Sequence, residues 1–272
     1  MSLPIADILQ HLGLTDPTPT LLFLNRLLLG WSRHIPWESA SRIARHQRPG
    51  TPQDYARCPE VFFHDALTLG TGGTCFESNL ALRALLRAVG FEGVLAFCDM
   101  KTQTVNPHCA FVVTLEGARY LADVGYPVPA ALRLDPHAPT VVETPVYRYH
   151  AVPVGVDRWE VWRRSGGFAQ LSYWLKGEGV DDATFRARLL RDHEPDGLFL
   201  DEVIVQRVDG DLVWRYSEHK GLVRRTIGRE EPIALTAAEQ ADLPAALARR
   251  FGMSQALLAA ALSRTPPAGV WP

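Results

Sequence analysis

The sequence predicts an α+β protein whose helices and strands are concentrated in different parts of the chain. Over residues 1–90, apolar positions recur at helical spacing, with proline near helix starts and glycine after helix ends. From residue 93 onward, short β-branched and aromatic runs follow one another between glycine and proline residues. This density of short strands predicts a small barrel or a strongly twisted antiparallel sheet.

The N-terminal third is expected to be largely helical. Leucine-rich segments with proline at their start or glycine at their end predict helices over residues 4–14, 17–34, 60–69 and 74–89. Residues 45–59 are polar and contain proline, which favours a loop between the second and third of these helices.

The rest of the chain is expected to alternate between short strands and a few helices. Strands are predicted over residues 94–97, 110–115, 120–124, 141–153, 159–163, 168–175, 201–208, 212–217 and 222–227. Residues 116–119 are expected to turn between the second and third of these strands. Helices are predicted over residues 182–191, 236–250 and 254–263. The proline-rich residues 265–272 are expected to lack regular structure.

Composition limits the classes of function and the compartment. The chain has 272 residues, enough for two or three domains, and is 47% apolar and 21% charged. A net charge of −2 creates no field that attracts nucleic acid or an anionic membrane, so neither partner is expected. No signal peptide and no apolar run long enough to span a bilayer are recognised. Four scattered cysteines without a CxxC motif favour a reducing, cytoplasmic environment.

Cys75 is the candidate nucleophile. It lies in residues 72–79, with the sequence Gly-Gly-Thr-Cys-Phe-Glu-Ser-Asn, where a glycine turn is predicted to enter a helix. Thr74 and Glu77 have the spacing of a capping box, which places Cys75 in the first helical turn. Unsatisfied N–H groups and the positive end of the helix dipole favour a thiolate there. A buried structural cysteine is the alternative interpretation.

His108 and Asp123 are the candidate base and the group that orients it. His108 opens an apolar strand, and Asp123 lies within the next one, where an unpaired carboxylate would be costly to bury. A turn centred on Gly117 and Ala118 puts both side chains on one face. It also leaves them about four residues apart, roughly 13 Å, so a bulge, a bend or a looped-in His108 would be needed. A structural histidine remains the alternative.

A metal site is an alternative interpretation of some of the same residues. Cys98, His108 and Cys109 could ligate zinc, but the CxxC and HxxxH spacings typical of such sites are absent from the sequence. No metal is therefore expected.

Cys75, His108 and Asp123, in this order and with these flanking residues, resemble the catalytic residues of the arylamine N-acetyltransferase family. The Cys and Asp motifs are specific in combination, and other segments of the chain are similar to that family as well. The further segments are residues 35–39, Ile-Pro-Trp-Glu-Ser; residues 193–199, His-Glu-Pro-Asp-Gly-Leu-Phe; and residues 243–252, which end in Phe-Gly.

The resemblance implies three domains and a papain-like cysteine triad. The domains would be a helical bundle over residues 1–92, an antiparallel β-barrel over 93–200 and an α/β lid over 201–272. Cys75 would take the acyl group of an acyl-CoA, His108 would move the proton, and Asp123 would hold His108. The acceptor would be an arylamine, hydrazine or N-hydroxyarylamine. No permanently bound cofactor is implied, because the acyl-CoA is a co-substrate.

The chain departs from the family pattern at several positions beside the candidate triad. Thr71 occupies the position of an arginine expected to pair with Glu38, so Glu38 either lacks its partner or has another. Trp37 and Ser39 replace the usual phenylalanine and asparagine, and Pro127 replaces a glycine. These departures bear on substrate recognition rather than on the triad.

Three other functions remain open from the sequence. The same triad could serve an amide synthase that uses a carrier-bound acyl group. It could also serve a cysteine hydrolase or a transglutaminase-like enzyme. The departures at Thr71 and Pro127 are compatible with a protein that keeps the fold for binding alone.

Overall fold

The computed structural model describes residues 3–102 and 104–265. Within them, the α-helices are α1 Ile5–His11, α2 Leu21–His34, α3 Ala40–His46, α4 Pro52–Tyr55, α5 Pro59–Leu69, α6 Cys75–Ala88, α7 Asp182–Arg191, α8 Ala237–Ala241, α9 Leu243–Phe251 and α10 Gln255–Ser263. The β-strands are β1 Trp37–Glu38, β2 Glu92–Asp99, β3 His108–Leu115, β4 Ala118–Ala122, β5 Leu132–Arg133, β6 Thr140–Glu143, β7 Arg148–Gly155, β8 Arg158–Ser165, β9 Phe168–Lys176, β10 Ile204–Asp209, β11 Leu212–Ser217, β12 Gly221–Thr226 and β13 Arg229–Ile233.

The first helices pack around a shared apolar core. Leu24 and Leu28 of α2 are fully buried, and Trp31, one turn later, stacks on Phe62 of α5 with ring centroids 5.8 Å apart. Phe76 of α6 is also fully buried in this cluster. The apolar spacing that predicts each helix therefore describes the face that it buries.

The central strands form a nearly closed antiparallel barrel. Eight strands are hydrogen-bonded in the order β5-β4-β3-β2-β9-β8-β7-β6. The edge strands β5 and β6 approach each other, and the Thr140 hydroxyl donates a hydrogen bond to the Arg133 carbonyl across that gap. The predicted α+β fold with a barrel is confirmed.

Strand β3 joins the barrel to the helical core. Ala110 and Val112 point into the barrel interior, and Cys109 and Phe111 point toward the helices. Because alternate side chains of a strand face opposite sides, burial on both faces explains the continuous apolar sequence of β3. His108 is the first residue of this strand, so it lies at the end of the barrel that adjoins α6.

The C-terminal part forms a second antiparallel sheet, and N-terminal residues take part in it. The sheet has the order β1-β10-β11-β12-β13, and β1 pairs Trp37 with Gln206. Ile43 of α3 packs in one apolar cluster with Leu257 and Leu258 of α10. Residues 37–44 belong to the predicted first domain, yet they pack with the C-terminal sheet and its helices. The division into domains at residues 92 and 200 stays a prediction.

Several predicted elements differ from those observed. The predicted strand 141–153 is two strands, β6 and β7, and the predicted helix 236–250 is two helices, α8 and α9. Residues 45–59 contain α4, and β13 was not predicted because its sequence, Arg-Glu-Glu-Pro-Ile, is charged and contains proline. Most of residues 265–272 lie outside the described part of the chain. Among the described residues, none of the helices is long and apolar enough to cross a membrane.

Candidate active site

Cys75 is the first residue of α6 and is 4% exposed. Thr74 precedes it in an extended conformation and does not cap the helix with its side chain. The first-turn N–H groups of α6 have no carbonyl partner within the helix. They therefore direct positive charge toward the Cys75 sulfur, as the position in the sequence predicts.

The predicted capping box between Thr74 and Glu77 is wrong. The Glu77 carboxylate points into the protein, where it accepts hydrogen bonds from the Arg57 backbone N–H at 2.9 Å and from Arg57 Nη2 at 2.6 Å. His193 Nε2 lies 3.4 Å from the same carboxylate. A carboxylate that is only 2% exposed is stabilised far more by a buried cation than by a backbone N–H of its own helix.

His108 and Asp123 are in direct contact. His108 Nε2 lies 2.8 Å from Asp123 Oδ2, and both side chains are almost fully buried. This leaves Nδ1 as the ring nitrogen available to the Cys75 thiol. Cys75 Sγ lies 3.8 Å from the carbonyl oxygen of Pro107, the residue before His108, so all three predicted site residues meet at the junction of α6 and the barrel.

The separation predicted between His108 and Asp123 is wrong because the hairpin turn is tighter than assumed. Glu116 and Gly117 form the turn with φ of 51° and 74°, which is the conformation of a two-residue hairpin. Phe111 pairs with Ala122, so His108 and Asp123 are offset by two residues instead of four. Strand β4 ends at Ala122, one residue before Asp123, so Asp123 reaches His108 without a bulge.

Asp123 is surrounded by hydrogen-bond donors. Besides the His108 contact, it accepts from the Tyr173 hydroxyl at 2.7 Å, from Asn79 Nδ2 at 3.1 Å and from the N–H groups of Gly125 and Tyr126 at 2.9 and 3.0 Å. These donors stabilise the ionised carboxylate and fix its orientation.

The three side chains shift one another's protonation. A hydrogen bond from the Cys109 thiol lowers the pKa of Cys75, burial opposes this, and His108 lowers it further, to about 6. Burial disfavours the charged His108, but the charge and hydrogen bond of Asp123 raise its pKa to about 10. Burial would raise the pKa of Asp123, and the charge of His108 keeps it below its usual value. Near neutral pH the site therefore holds a thiolate and an imidazolium.

Gly125 lets the loop after Asp123 lie directly against Cys75. A Cβ atom at this position would be 2.5 Å from the Cα of Cys75 and 2.6 Å from Asn79 Nδ2. Asn79 also donates to the Cys109 carbonyl at 2.8 Å and accepts from the Val124 N–H at 3.2 Å. The loop, the helix and the barrel are thus joined beside the thiol.

Glu38 has other partners than an arginine at position 71. Its carboxylate accepts from the backbone N–H and hydroxyl of Ser41 at 2.7 and 2.6 Å and from the Gly72 N–H at 3.2 Å. Burial raises its pKa, and the charge of Arg57 opposes that rise. Thr71 is fully buried, and its hydroxyl has no hydrogen-bond partner among the described residues. The cation whose charge acts on Glu38 is therefore Arg57.

Arg57 supports the glycine turn that precedes Cys75. Its Nη2 donates to the Gly72 carbonyl at 2.7 Å, and its guanidinium pairs with Glu77 at 2.6 Å and with Asp65 at 3.4 Å. These contacts hold both the turn and the first turn of α6, so the position of the nucleophile depends on a residue eighteen positions earlier.

Cys98 and Cys109, the other cysteines near the site, are not candidate nucleophiles. Burial raises the pKa of Cys98 and of Cys109 well above the usual value, so both stay protonated. Within residues 3–102 and 104–265, histidine, cysteine and carboxylate side chains do not form a cluster of three that could hold a metal ion.

Sequence reasoning missed Asn79, Tyr173 and Arg57. Asn79 carries a usable signal, because it follows Cys75 by four residues and therefore shares its helix face. Tyr173 reads as an ordinary strand aromatic, and Arg57 lies in a segment that resembles a polar loop. Their roles follow from distant partners that the local pattern does not contain.

Two of three comparisons with known proteins found similar proteins. A protein-family model described as N-acetyltransferase matches residues 20–257. A search of curated protein sequences finds no match.

Solved structures share the fold over almost the whole chain. The arylamine N-acetyltransferase from Mycobacterium abscessus is 24% identical, with a TM-score of 0.77, and 96% of this chain and 95% of that one are covered. The Mycobacterium smegmatis enzyme is 23% identical, with a TM-score of 0.81 and 97% of each chain covered. The Mycobacterium marinum enzyme in complex with CoA is 20% identical, with a TM-score of 0.80 and 96% and 99% covered.

Proposed function

The chain belongs to the arylamine N-acetyltransferase family, and from this premise we propose that Cys75, His108 and Asp123 are its catalytic residues. The reaction is transfer of an acetyl or other acyl group from acyl-CoA to an arylamine, hydrazine or N-hydroxyarylamine. The observation that carries the proposal is the buried His108–Asp123 contact of 2.8 Å beside a cysteine whose pKa is lowered to about 6. A structural cysteine has no need of either feature.

In the first half of the reaction, the Cys75 thiolate attacks the thioester carbonyl of the acyl-CoA. The carbonyl oxygen becomes an oxyanion, which N–H groups at the start of α6 can stabilise. The intermediate collapses with cleavage of the bond between the carbonyl carbon and the CoA sulfur. His108 gives its proton to the departing CoA thiolate, and the acyl group remains on Cys75.

In the second half, the amine nitrogen attacks the acyl-cysteine carbonyl. Neutral His108 accepts the proton that the nitrogen loses, and Asp123 stabilises the resulting imidazolium. The bond to the Cys75 sulfur then breaks, which releases the amide and restores the thiolate–imidazolium pair. The donor product leaves before the acceptor reacts, so the kinetics are ping-pong.

Intact-protein mass spectrometry after incubation with acetyl-CoA tests this proposal. We expect one acetyl adduct on the protein, its absence in Cys75→Ala, and its release on addition of an arylamine. Cys58→Ala is the matched control, because Cys58 is an exposed free cysteine and its removal should leave the adduct.

Two results would contradict the proposal. An adduct that persists in Cys75→Ala would assign the acyl group to another residue. A wild-type protein that forms no adduct while Cys75 still reacts with iodoacetamide would exclude acetyl-CoA as the donor and favour a carrier-bound acyl group.

A further inference from the structure

One face of α7 packs against the start of α6. The residues on this face are spaced at i, i+3, i+4 and i+7, namely Phe185, Arg188, Leu189 and Asp192. The two apolar residues are buried in the core, and the Phe185 ring lies 5.6 Å from the ring of Phe76. The two charged residues continue the same face toward the C-terminal end of α7.

Arg188 contacts both segments that carry the candidate pair Cys75 and His108. Its guanidinium lies over the ring of Phe76, the residue after Cys75, 4.7 Å from the ring centroid. Its Nε donates a hydrogen bond of 2.9 Å to the carbonyl of Asn106, two residues before His108. A planar guanidinium can do both, because its face covers an aromatic ring while its N–H groups point outward in its plane.

The Asn106 carbonyl lies at the turn that leads into β3. Asn106 has a φ of 50°, in the left-handed region that asparagine adopts more readily than most residues. Its side-chain oxygen accepts a hydrogen bond from Lys176 Nζ of β9 at 2.7 Å, so the barrel holds this turn as well. The next carbonyl, that of Pro107, lies 3.8 Å from the Cys75 sulfur. A shift of this turn would therefore displace His108 relative to the thiol.

Asp192 orients Arg188 and links it to the residue before the candidate nucleophile. Its carboxylate is 3% exposed and lies 3.5 Å from Arg188 Nη1 and 3.0 Å from Arg42 Nη1. The same Arg42 nitrogen donates to the Thr74 hydroxyl at 3.4 Å. A buried carboxylate between two cations is fixed in orientation by charge-assisted hydrogen bonds. These contacts connect Arg188 to the backbone on the other side of Cys75.

We propose that Arg188 is a positioning residue that sets the placement of His108 relative to Cys75. Through Phe76 it fixes the start of the helix, and through the Asn106 carbonyl it fixes the turn before β3. One side chain thus joins the two segments whose ends must meet. A displacement of about 1 Å between reacting atoms costs roughly 10²-fold in rate. This inference rests on the proposed function, because the step that Arg188 supports is the transfer of the acyl group to Cys75.

Single-turnover acetylation of Cys75 by acetyl-CoA tests this role in Arg188→Met, which removes the donor groups and the charge. We expect the rate to fall roughly 10- to 100-fold, while the acetyl-CoA concentration for half-maximal rate changes less than about threefold, because alignment is lost rather than binding. Arg186→Met is the matched control. Arg186 is exposed on the same helix and has neither a hydrogen bond nor an ion pair with residues 3–102 or 104–265. Equal rates in the two variants would overturn the proposal.

Arg188→Lys separates the position of the guanidinium from its charge. Lysine keeps a positive charge beside Asp192, so this variant also tests the proposal where Arg188→Met does not fold. One ammonium group cannot cover the Phe76 ring and donate to the Asn106 carbonyl in the same geometry. The loss should therefore remain at about tenfold or more. Recovery of the wild-type rate would overturn the proposal, because charge alone would then be sufficient.

The pH profile of Cys75 alkylation by iodoacetamide is a readout that a purely structural role would not change. In wild type the thiolate forms above a pH of about 6, because the neighbours of Cys75 lower its pKa. A displaced imidazolium lowers that pKa less, so in Arg188→Met the profile should move to higher pH, toward the usual value of 9.0. Slower acetylation with an unchanged alkylation profile would overturn the proposal, since the imidazole would then be in place.

The two measurements also distinguish failure of this proposal from failure of the proposed function. Alkylation needs no acyl donor, so the profiles of wild type and Arg188→Met test the positioning role in either case. Absence of acetylation in wild type would contradict the proposed function. Identical alkylation profiles in wild type and variant would contradict the role of Arg188.

Discussion

Arg57 and Arg163 both lie one contact away from the candidate catalytic residues, yet their surroundings are opposite. Arg57 is 1% exposed on its side chain and pairs with Glu77 and Asp65 beneath the glycine turn before Cys75. Arg163 stands at the barrel mouth, over two tyrosine rings, with no carboxylate partner in the described chain. Arg57 thus pairs with two carboxylates, whereas Arg163 contacts aromatic rings and the side-chain oxygen of Gln170.

This difference distinguishes an arginine that holds the fold beside the candidate site from one that lies partly exposed at the barrel mouth. Buried, fully paired groups such as Arg57 and Asp123 fix atoms whose relative positions the chemistry requires. A partly exposed arginine on aromatic rings contributes little to folding and much to recognition. The charge of Arg57 is therefore neutralised inside the fold, whereas no carboxylate of the described chain pairs with Arg163.

The largest effect is expected from Asp123→Asn, which removes the buried negative charge that is paired with His108. An amide cannot stabilise the imidazolium, so the pKa of His108 should fall, and kcat should drop by roughly 10³- to 10⁴-fold. In wild type, alkylation of Cys75 should rise as pH increases through about 6, because a lowered thiol pKa gives the thiolate above that pH. In the variant this rise should move toward pH 9.0, the usual thiol value. An unchanged kcat and an unchanged alkylation profile would remove Asp123 from the triad.

The next largest effect is expected from Arg57→Met, which tests whether Arg57 contributes more to the stability of the fold than Arg163 does. Arg57→Met leaves Glu77 buried without its cation, which should lower the free energy of unfolding by about 3–5 kcal/mol. Arg87→Met, at an exposed position of α6, the helix that carries Glu77, should change it by less than about 0.5 kcal/mol. Arg163→Gln, which loses its contacts with two tyrosine rings, should cost about 1 kcal/mol. Urea denaturation measures all three. A loss for Arg163→Gln equal to that for Arg57→Met would break the distinction between the two arginines.

The smallest of these effects concerns the contact between the loop after Asp123 and the nucleophile. Gly125→Ala puts a methyl group 2.5 Å from the Cys75 Cα, so the loop or the helix must shift. A displacement of about 1 Å at a reacting atom costs roughly 10²-fold in kcat. Gly167→Ala is the control, since a Cβ there meets no atom within 4 Å. Steady-state kinetics of both variants decide the matter, and full activity of Gly125→Ala would show that the contact tolerates a side chain.

The sequence predicted those features that depend on short stretches of chain. The start of α6 at Cys75, the turn between β3 and β4 and most of the barrel strands follow from glycine positions and apolar periodicity. Such patterns state which face of an element is buried. They failed where the local pattern was ambiguous, as in the charged strand β13 and the helix that divides into α8 and α9.

The candidate site was predictable only in its most distinctive residues. Cys75 carries a local signal, and His108 and Asp123 became candidates through their places on adjacent apolar strands, to which the family resemblance added support. Asn79, Tyr173 and Arg57 were missed, because each acts through a partner far away in sequence. The capping box failed for the same reason: Glu77 has the local spacing, but a buried arginine is a stronger partner than a backbone N–H.

By itself, then, the sequence determined the candidate nucleophile, most of the helices and strands and the α+β class, since backbone propensity and amphipathic periodicity are local properties. The tertiary structure decided the register that brings Asp123 to His108, the ion pairs that hold the glycine turn, and the position of Arg163 over two tyrosine rings. Those outcomes depend on burial and on distances between segments remote in sequence. Electrostatic and hydrogen-bond energies are set by such distances.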